Sequence, residues 1–208
     1  MPRAGLSPDA VVRLALEVVD DGGPSGFTDL TLAKVAAKAG VAAPSLYKHV
    51  GSLADLRREV TLIAVRDLTA AGTAATVGRA GADALRALAN AWRTYALAHP
   101  GRYAATQIGP DPDDPADARS REVAAESVQV VAAVLHGFGL PDDRMVDAVR
   151  AVRAGVHGFV ALELGGGFRM REDVAQSFSV LLEMLVAGVG ALSTSDVALV
   201  DHIPGSGS

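Results

Sequence analysis

Residues 31–50, TLAKVAAKAGVAAPSLYKHV, contain two short helical patterns separated by a turn. Thr31 can cap the first helix, along which Val35 and the neighbouring alanines recur at helical spacing. Gly40 is the residue type that ends helices, and a second helix of about seven residues, 43–49, follows it. A helix that short is unstable alone, so tertiary packing must hold it. The stretch therefore predicts a helix-turn-helix in which the second helix keeps one face free.

The free face of this second helix carries small and hydrogen-bonding side chains. Ser45 and Tyr47 have hydroxyl groups and Lys48 has a positive charge, and all three can donate to phosphate oxygens. The small Ala43 and Pro44 can approach thymine methyl groups in a major groove. This combination favours double-stranded DNA as the partner of the helix.

Residues that flank the second helix add further candidates for phosphate binding. Thr31 and Ser52 each begin a helix, where backbone N–H groups and a hydroxyl can hold a phosphate. Lys34 and Lys38 share one stripe of the first helix and suit either phosphate contact or a solvated surface. His49 suits either a phosphate or the negative end of its own helix.

The charge distribution is uneven. The 208-residue chain has a net charge of −5, which argues against a general nucleic-acid coat. Residues 30–58 nevertheless carry five basic residues against Asp55, a local net charge of +4. Such a patch on an acidic chain predicts a specific anion-binding face, although scattered solvated charges are an alternative. Four aspartates crowd the segment 109–117, GPDPDDPAD, which is a loop by composition.

The rest of the chain also has helical periodicity and lacks a useful strand pattern, so we predict an all-α protein of about nine helices. We place a helix-turn-helix domain at 1–70, a helical bundle at 71–195 and a flexible tail at 196–208. The last two helices, roughly 142–164 and 171–192, have broad apolar faces. Pairing with a second copy would give a four-helix interface in a homodimer, and packing within one chain is the alternative. Small residues would allow close crossing there: Ala151, Ala154, Gly155, Gly158, Ala187 and Gly188.

Several classes of protein and site are not expected. The chain has no Cys, so disulfides, thiolate metal sites and Cys nucleophiles are excluded. His99, His136 and His157 lack metal-ligand spacing, and we expect no metal site and no cofactor. The N-terminus does not resemble a signal peptide, and no segment predicts a transmembrane helix, so we expect a cytoplasmic protein without a membrane partner.

The C-terminal half contains aromatic and polar side chains that could line a pocket for a small molecule. We predict a mainly apolar pocket between helices, with His157 or Trp92 as its polar group. Each candidate, taken singly, also suits the core or the surface. The candidates are Trp92, Tyr95, Tyr103, Gln107, His157 and Phe159.

The run from Thr31 to Val50, with the frame that surrounds it over residues 7–68, resembles the DNA-binding signature of TetR-family transcriptional repressors. The resemblance implies an all-α homodimer in which the third helix reads an operator and the C-terminal domain binds a small-molecule effector and dimerises. By position, it implies phosphate contacts from Thr31, Ser45, Tyr47 and Lys48, and base-edge contacts near Ala42, Ala43 and Pro44. Many members have a basic residue where this chain has Leu53, so that contact is absent or is supplied by Arg57 or Arg3.

A second resemblance concerns the C-terminal domain. His99–Tyr103 and Val156–Phe159 are similar to a TetR subgroup named for a Trp-His-Gly motif, with Val156 at the Trp position. Together these patterns predict a ligand-responsive regulator, a repressor that binds a palindromic operator as a homodimer through its last two helices. The alternatives are an all-α enzyme and a protein-binding adaptor, and no catalytic motif supports the enzyme.

Overall fold

The computed structural model describes residues 6–194, and this part of the chain is built from helices and loops without a β-strand. The predicted all-α class is therefore confirmed, and the predicted tail at 196–208 lies outside the described residues. The principal helices are α1 (Pro8–Asp21), α2 (Leu32–Ala39), the recognition helix (Ala43–Lys48), α3 (Leu53–Thr76), α4 (Gly81–Ala98), α5 (Pro100–Ala105), α6 (Ala118–His136), α7 (Asp142–Leu164) and α8 (Val174–Thr194).

The caps expected from the sequence fix where the first helices begin and end. The Thr31 side-chain oxygen accepts the backbone N–H of Lys34 at 3.2 Å, and the Ser52 oxygen accepts that of Asp55 at 3.0 Å. Gly40 ends α2 with φ of 67°, a left-handed conformation that favours glycine. These local contacts set the turn on one side of the recognition helix and the start of α3 on the other.

The recognition helix differs in type from the α-helix expected at 43–49. Its backbone bonds span three residues, from Ser45 N to Ala42 O and from His49 N to Leu46 O, which is the 3₁₀ pattern. A six-residue helix that begins with a proline has few four-residue bonds to form, so the tighter winding is favoured. Leu46 is fully buried and anchors the helix in the N-terminal core. Val41, in the turn before this helix, is 37% exposed.

The two domains share helix α3 rather than a linker. Its 24 residues span about 36 Å. Leu56 and Val60 belong to the N-terminal core, whereas Leu68 belongs to the C-terminal core formed with α4, α6, α7 and α8. The boundary predicted at residue 70 thus falls inside one continuous helix. The same helix therefore contributes side chains to both cores.

Helix α5 is the second connection between the domains. Ala105 packs in the N-terminal core and Tyr103 in the C-terminal core. Gly101 lies against the end of α1, where a Cβ atom would meet Val19 O at 2.5 Å and Gly23 O at 2.8 Å. The absence of a side chain at Gly101 is what allows this close approach.

We expect Gly101→Ala to lower the free energy of unfolding by about 2 kcal/mol, because backbone atoms cannot move aside for the added methyl group. Denaturant unfolding followed by circular dichroism measures the change. Gly109→Ala is the matched control, since a Cβ at Gly109 would meet no atom within 4 Å. Equal stability of the two variants would show that α5 does not press against α1 as described.

Candidate functional sites

The recognition helix presents its predicted polar side chains outward. Tyr47 is 61% exposed, and Lys48 and Pro44 are exposed beside it. Ser45 is half-buried, because it lies nearer the side that Leu46 holds in the core. A phenol, an ammonium group and a hydroxyl are thus displayed on one short, anchored helix, and Ala42 and Ala43 add little bulk around them.

The start of α2 provides a second part of the same surface. Thr31 is exposed, and its oxygen accepts a cap bond from Lys34 N. Among residues 6–194, no acceptor takes the hydroxyl proton of Thr31, so this proton is available to a phosphate. The Lys34 side chain is exposed as well. His49 is half-buried at the end of the recognition helix, where its backbone N–H donates to Leu46 O at 2.8 Å.

The Ser52 hydroxyl, predicted to hold a phosphate, bonds to Asp55 of the same chain. It donates to the Asp55 carboxylate at 2.7 Å while its oxygen accepts the Asp55 backbone N–H. The hydroxyl proton is therefore used within the chain, and a carboxylate stands where a phosphate would have to approach. We leave Ser52 out of the proposed phosphate contacts.

The basic patch at 30–58 is smaller in the structure than in the sequence. Lys38 pairs with Asp21 at 2.7 Å and with Glu17 at 3.2 Å, so it serves the contact between α2 and α1. Within the described part of the chain, Lys34 and Lys48 have no carboxylate partner. These two lysines remain as the cations of the candidate DNA-binding surface.

The arginine suggested as a replacement for the missing basic residue at Leu53 points into the protein. Arg57 donates to Thr28 O at 3.0 Å and Leu30 O at 3.1 Å, and its guanidinium lies 5.9 Å from the centre of the Phe27 ring. It thus braces the loop before α2 and does not face a DNA duplex. The other suggested residue, Arg3, lies outside the described residues.

A cavity of about 600 Å³ lies beneath the N-terminal domain, between α3, α4, α5, α6 and α7. Four of the six predicted ligand-binding residues line it, namely Trp92, Tyr103, Gln107 and His157. Most of the wall is apolar, as predicted. Its apolar residues include Leu62, Val65, Leu68, Val123, Val131, Met145 and Val149.

The other two predicted ligand-binding residues lie away from this cavity. Tyr95 is buried in the core, where its hydroxyl donates to Ala64 O at 3.3 Å. Phe159 packs against Phe168 and Phe178, with ring centres 4.7 and 5.1 Å away. Both side chains therefore contribute to helix packing, and neither lines this cavity.

Five residues of the cavity wall form a hydrogen-bonded group that we call the polar corner: Tyr103, Thr106, Gln107, Arg153 and His157. Tyr103 Oη lies 3.2 Å from His157 Nδ1, and Arg153 Nη2 donates to Thr106 O at 3.4 Å. Gln107 Nε2 donates to the Thr106 hydroxyl oxygen at 2.8 Å. The sequence reasoning missed Arg153, although it precedes His157 by four residues on α7 and so shares its helix face.

Burial sets the protonation of the polar corner. It raises the pKa of Tyr103 to about 12, so the phenol keeps its proton at neutral pH. Burial, and secondly the nearby charge of Arg153, lower the pKa of His157, so the imidazole is neutral there. The neutral ring can accept the Tyr103 proton at Nδ1, which leaves Nε2–H as a further donor.

Two groups of ion pairs join the N-terminal domain to the rest of the chain. Arg58 pairs with Asp117 and with Asp114, each at 2.7 Å. Two aspartates of the acidic loop at 109–117 thus serve as partners of this arginine. The backbone N–H of Asp111, followed by the Arg58 guanidinium, lowers the pKa of Asp117. In the second group, Arg102 of α5 pairs with Asp20 of α1 at 2.6 Å and with Asp67 of α3 at 3.4 Å.

Helices α7 and α8 expose a row of apolar and small residues that we call the outer face: Ala151, Ala154, Gly158, Leu162, Val180, Met184, Ala187 and Gly188. Gly155 is not part of it, because a Cβ there would meet Leu185 of the same chain at 3.2 Å.

By length and composition, Val174–Ser193 of α8 could also cross a membrane, with mean hydropathy 1.6, although no such helix was expected. Its Glu183 is paired with Arg86 of α4 at 2.7 Å, which ties α8 to the bundle. Phe178, Leu182 and Val189 of this helix are buried in the C-terminal core, whereas Val180 and Met184 are more than half exposed. Residues 6–194 contain no group of three His, Asp or Glu side chains that could hold a metal ion.

Comparison with known proteins agrees with this architecture. Residues 85–185 match the family described as the tetracyclin repressor-like C-terminal domain. An uncharacterised HTH-type transcriptional regulator of Mycobacterium tuberculosis, Rv0681, is 39% identical over 195 residues, which cover 92% of this chain and 85% of the relative. Another from Bacillus subtilis, YobS, is 29% identical over 90% of this chain and 95% of its own length. The matched family names no Trp-His-Gly subgroup, so that resemblance stays a prediction.

A solved structure shares the fold. The TetR Q116A variant of Acinetobacter baumannii, crystallised with minocycline, superposes with a TM-score of 0.66 at 22% identity, over 92% of this chain and all of that one. The family and these relatives are transcriptional regulators, which sets aside the enzyme alternative. A helix-turn-helix with an outward recognition helix, joined through α3 to a helical domain of the matched type, identifies the chain as a member of the TetR family of transcriptional regulators.

Proposed function

We propose that this protein is a repressor that binds a palindromic operator as a homodimer and releases it when a small molecule enters the cavity. The observation that carries the proposal is the display of Tyr47 and Lys48 on a helix held from behind by buried Leu46. Lys48, Tyr47, Ser45 and Thr31 would contact phosphates, with Lys34 and His49 at the edge of the interface. Ala42, Ala43 and Pro44 would lie near base edges. Such a protein acts in the cytoplasm, where bacterial DNA lies.

The outer face supports the homodimer. Met184 is 67% exposed and Val180 and Leu162 are each more than half exposed, which is unusual for a chain that functions alone. A Cβ atom added at Gly158 or Gly188 would meet no other atom within 4 Å, so a partner helix has room to approach. Pairing α7 and α8 with their symmetry mates would bury these residues in a four-helix interface. Two recognition helices would then address half-sites about 34–36 Å apart.

The cavity supports the effector response. Its wall includes Leu62, Val65 and Leu68 of α3, the helix that continues into the N-terminal domain. It also includes Tyr103 of α5, and the neighbouring Arg102 forms an ion pair with Asp20 of α1. A molecule that fits better when these helices shift would favour a spacing that no longer matches the operator. A coupling of about 1–3 kcal/mol suffices for a 5–150-fold change in affinity.

Fluorescence anisotropy with labelled DNA from upstream of the gene tests the DNA-binding role. We expect the logarithm of the affinity to fall steeply with the logarithm of salt concentration. Lys48→Gln should weaken binding about fivefold to tenfold on every sequence and reduce the salt slope by about 2, one for each protomer.

The matched control is Lys38→Gln, which removes the same charge from a lysine already paired with Asp21. It should change the affinity less than twofold. Salt-independent binding, or equal effects of the two substitutions, would instead favour the adaptor alternative, in which the recognition helix contacts a protein.

A further inference from the structure

Two of the arginines that line the cavity have no carboxylate partner. The charged lining residues are four arginines, at positions 57, 58, 150 and 153, and one carboxylate, that of Asp117. Arg58 is paired with Asp55, Asp114 and Asp117, and Arg150 lies 3.9 Å from Asp147. Within the described residues, Arg57 and Arg153 have no carboxylate partner, and backbone carbonyls hold Arg57. An unpaired guanidinium on a mainly apolar wall favours a ligand that carries negative charge.

Arg153 is the arginine best placed to bind an anion. Its one described hydrogen bond is the 3.4 Å contact to Thr106 O, and within residues 6–194 it has no carboxylate partner. A guanidinium has five N–H donors in a planar fork that matches a carboxylate. Most of its donors are therefore free for a ligand. Arg150, one helical turn earlier, is exposed like Arg153 but differs because it lies 3.9 Å from Asp147.

The neighbours of Arg153 reinforce this preference. The polar corner supplies neutral hydrogen-bonding groups from Tyr103, Gln107 and His157, and it contains no carboxylate that would repel an anion. Elsewhere the wall includes Leu62, Val65 and Trp92. Of these three side chains, only Trp92 can form a hydrogen bond, through its indole N–H. The cavity wall thus combines polar and cationic groups on α5 and α7 with apolar side chains on α3 and α4.

We propose that the effector is an amphipathic carboxylate whose head group binds Arg153 in the polar corner and whose apolar body lies along α3 and Trp92. This inference rests on the proposed function, because it names the chemical class of the molecule that would release the operator. The volume of about 600 Å³ is within the range of sites for drug-sized ligands.

Trp92 gives a direct test, because it is the single tryptophan of the chain and lines the cavity. The full-length protein is titrated with decanoic acid, decanol and decylamine, below their micelle concentrations, while Trp92 fluorescence is recorded. We expect decanoic acid to bind at least tenfold more tightly than decanol, and decylamine to bind most weakly. Within the acids, each added CH₂ should tighten binding by about fourfold until the cavity is full.

Arg153→Gln should remove the preference for the acid while leaving the affinity for decanol within twofold. Arg153→Lys should keep part of the preference for the acid, because lysine has the positive charge of arginine but lacks its planar guanidinium. Arg66→Gln is the matched control and should behave like the unchanged protein, because Arg66 is exposed on α3 and does not line the cavity. Thermal unfolding of each variant checks that the fold is kept.

Equal affinities for the acid and the alcohol, or an acid preference that survives Arg153→Gln, would overturn the assignment. The assignment would also be overturned if decanoic acid caused no change in Trp92 fluorescence and native mass spectrometry detected no bound decanoic acid. Operator binding is measured on the same samples to separate the two proposals. If decanoic acid binds but DNA does not, the carboxylate site is supported and the repressor proposal is contradicted. If DNA binds but decanoic acid does not, the repressor proposal is supported and the carboxylate site is contradicted.

Discussion

Replacing Met184 and Gly188 together with glutamate is expected to convert the proposed dimer to a monomer and to weaken binding to the proposed operator by at least 100-fold. Both residues lie on the outer face of α8, one turn apart. In a two-fold interface, a residue near the axis meets its own copy, so each substitution places like charges together. The glutamates would also lose their hydrating water on entering this interface.

The loss of DNA affinity follows from the loss of the second recognition helix. A dimer binds its second half-site intramolecularly, and this advantage amounts to about 10²–10⁴ in affinity. The monomer retains the contacts of one half-site only. Its N-terminal domain is unchanged, so circular dichroism should show the same helix content.

Analytical ultracentrifugation measures the oligomeric state, and fluorescence anisotropy measures binding to the same operator fragment. Gln129→Glu is the control, since it adds a negative charge to an exposed position of α6 outside the outer face. That variant should stay dimeric and bind DNA within twofold of the unchanged protein. A double variant that remained a dimer would show that copies meet through another surface.

The parts of the fold that the sequence predicted correctly depend on local contacts. Thr31 and Ser52 cap helices through atoms three residues away, and Gly40 needs only its own backbone conformation. Such signals depend on a few neighbouring residues, so they do not change with the tertiary contacts of the rest of the chain. The outward direction of Tyr47 followed in the same way, because Leu46 beside it takes the buried side of a short helix.

The parts that the sequence did not predict depend on partners far along the chain. The local net charge of +4 counted Arg57 and Arg58 as available, but carbonyls 27 and 29 residues away hold Arg57. Carboxylates 56 and 59 residues away hold Arg58. Counting charges along a sequence cannot detect contacts of this range. The 3₁₀ winding of the recognition helix was missed because the spacing of apolar residues hardly differs over six positions.

The cavity shows a mixture of both cases. Trp92 and His157 were predicted by residue type, and the structure places both on the cavity wall. Phe159 follows His157 by two residues, and positions two apart on an α-helix point to different sides, so periodicity alone could have excluded it. Tyr95 could not be excluded in this way, because the angle at which α4 crosses α3 decides which of its aromatic residues meets the cavity.

Replacing Arg102 with glutamine is expected to lower the free energy of unfolding by about 3 kcal/mol and to weaken operator binding by about tenfold. The Arg102 side chain is 20% exposed, and it donates three hydrogen bonds to the Asp20 carboxylate, at 2.6, 2.9 and 3.1 Å. Without it, Asp20 of α1 and Asp67 of α3 lose their shared cation and two carboxylates stand near each other. Removing one member of a buried ion pair costs about 3–5 kcal/mol, and partial exposure places this pair at the lower end.

Operator binding should weaken because Arg102 fixes how the N-terminal domain sits on α5. A less restrained domain occupies the geometry that fits both half-sites for a smaller fraction of the time, and the apparent affinity falls by that fraction. Hydrogen exchange should accelerate in α1 but not in α7, and denaturant unfolding gives the stability change. Arg66→Gln, on the exposed side of α3, is the control and should alter neither. Faster exchange throughout the chain would mean that Arg102 stabilises the whole fold without orienting the domain.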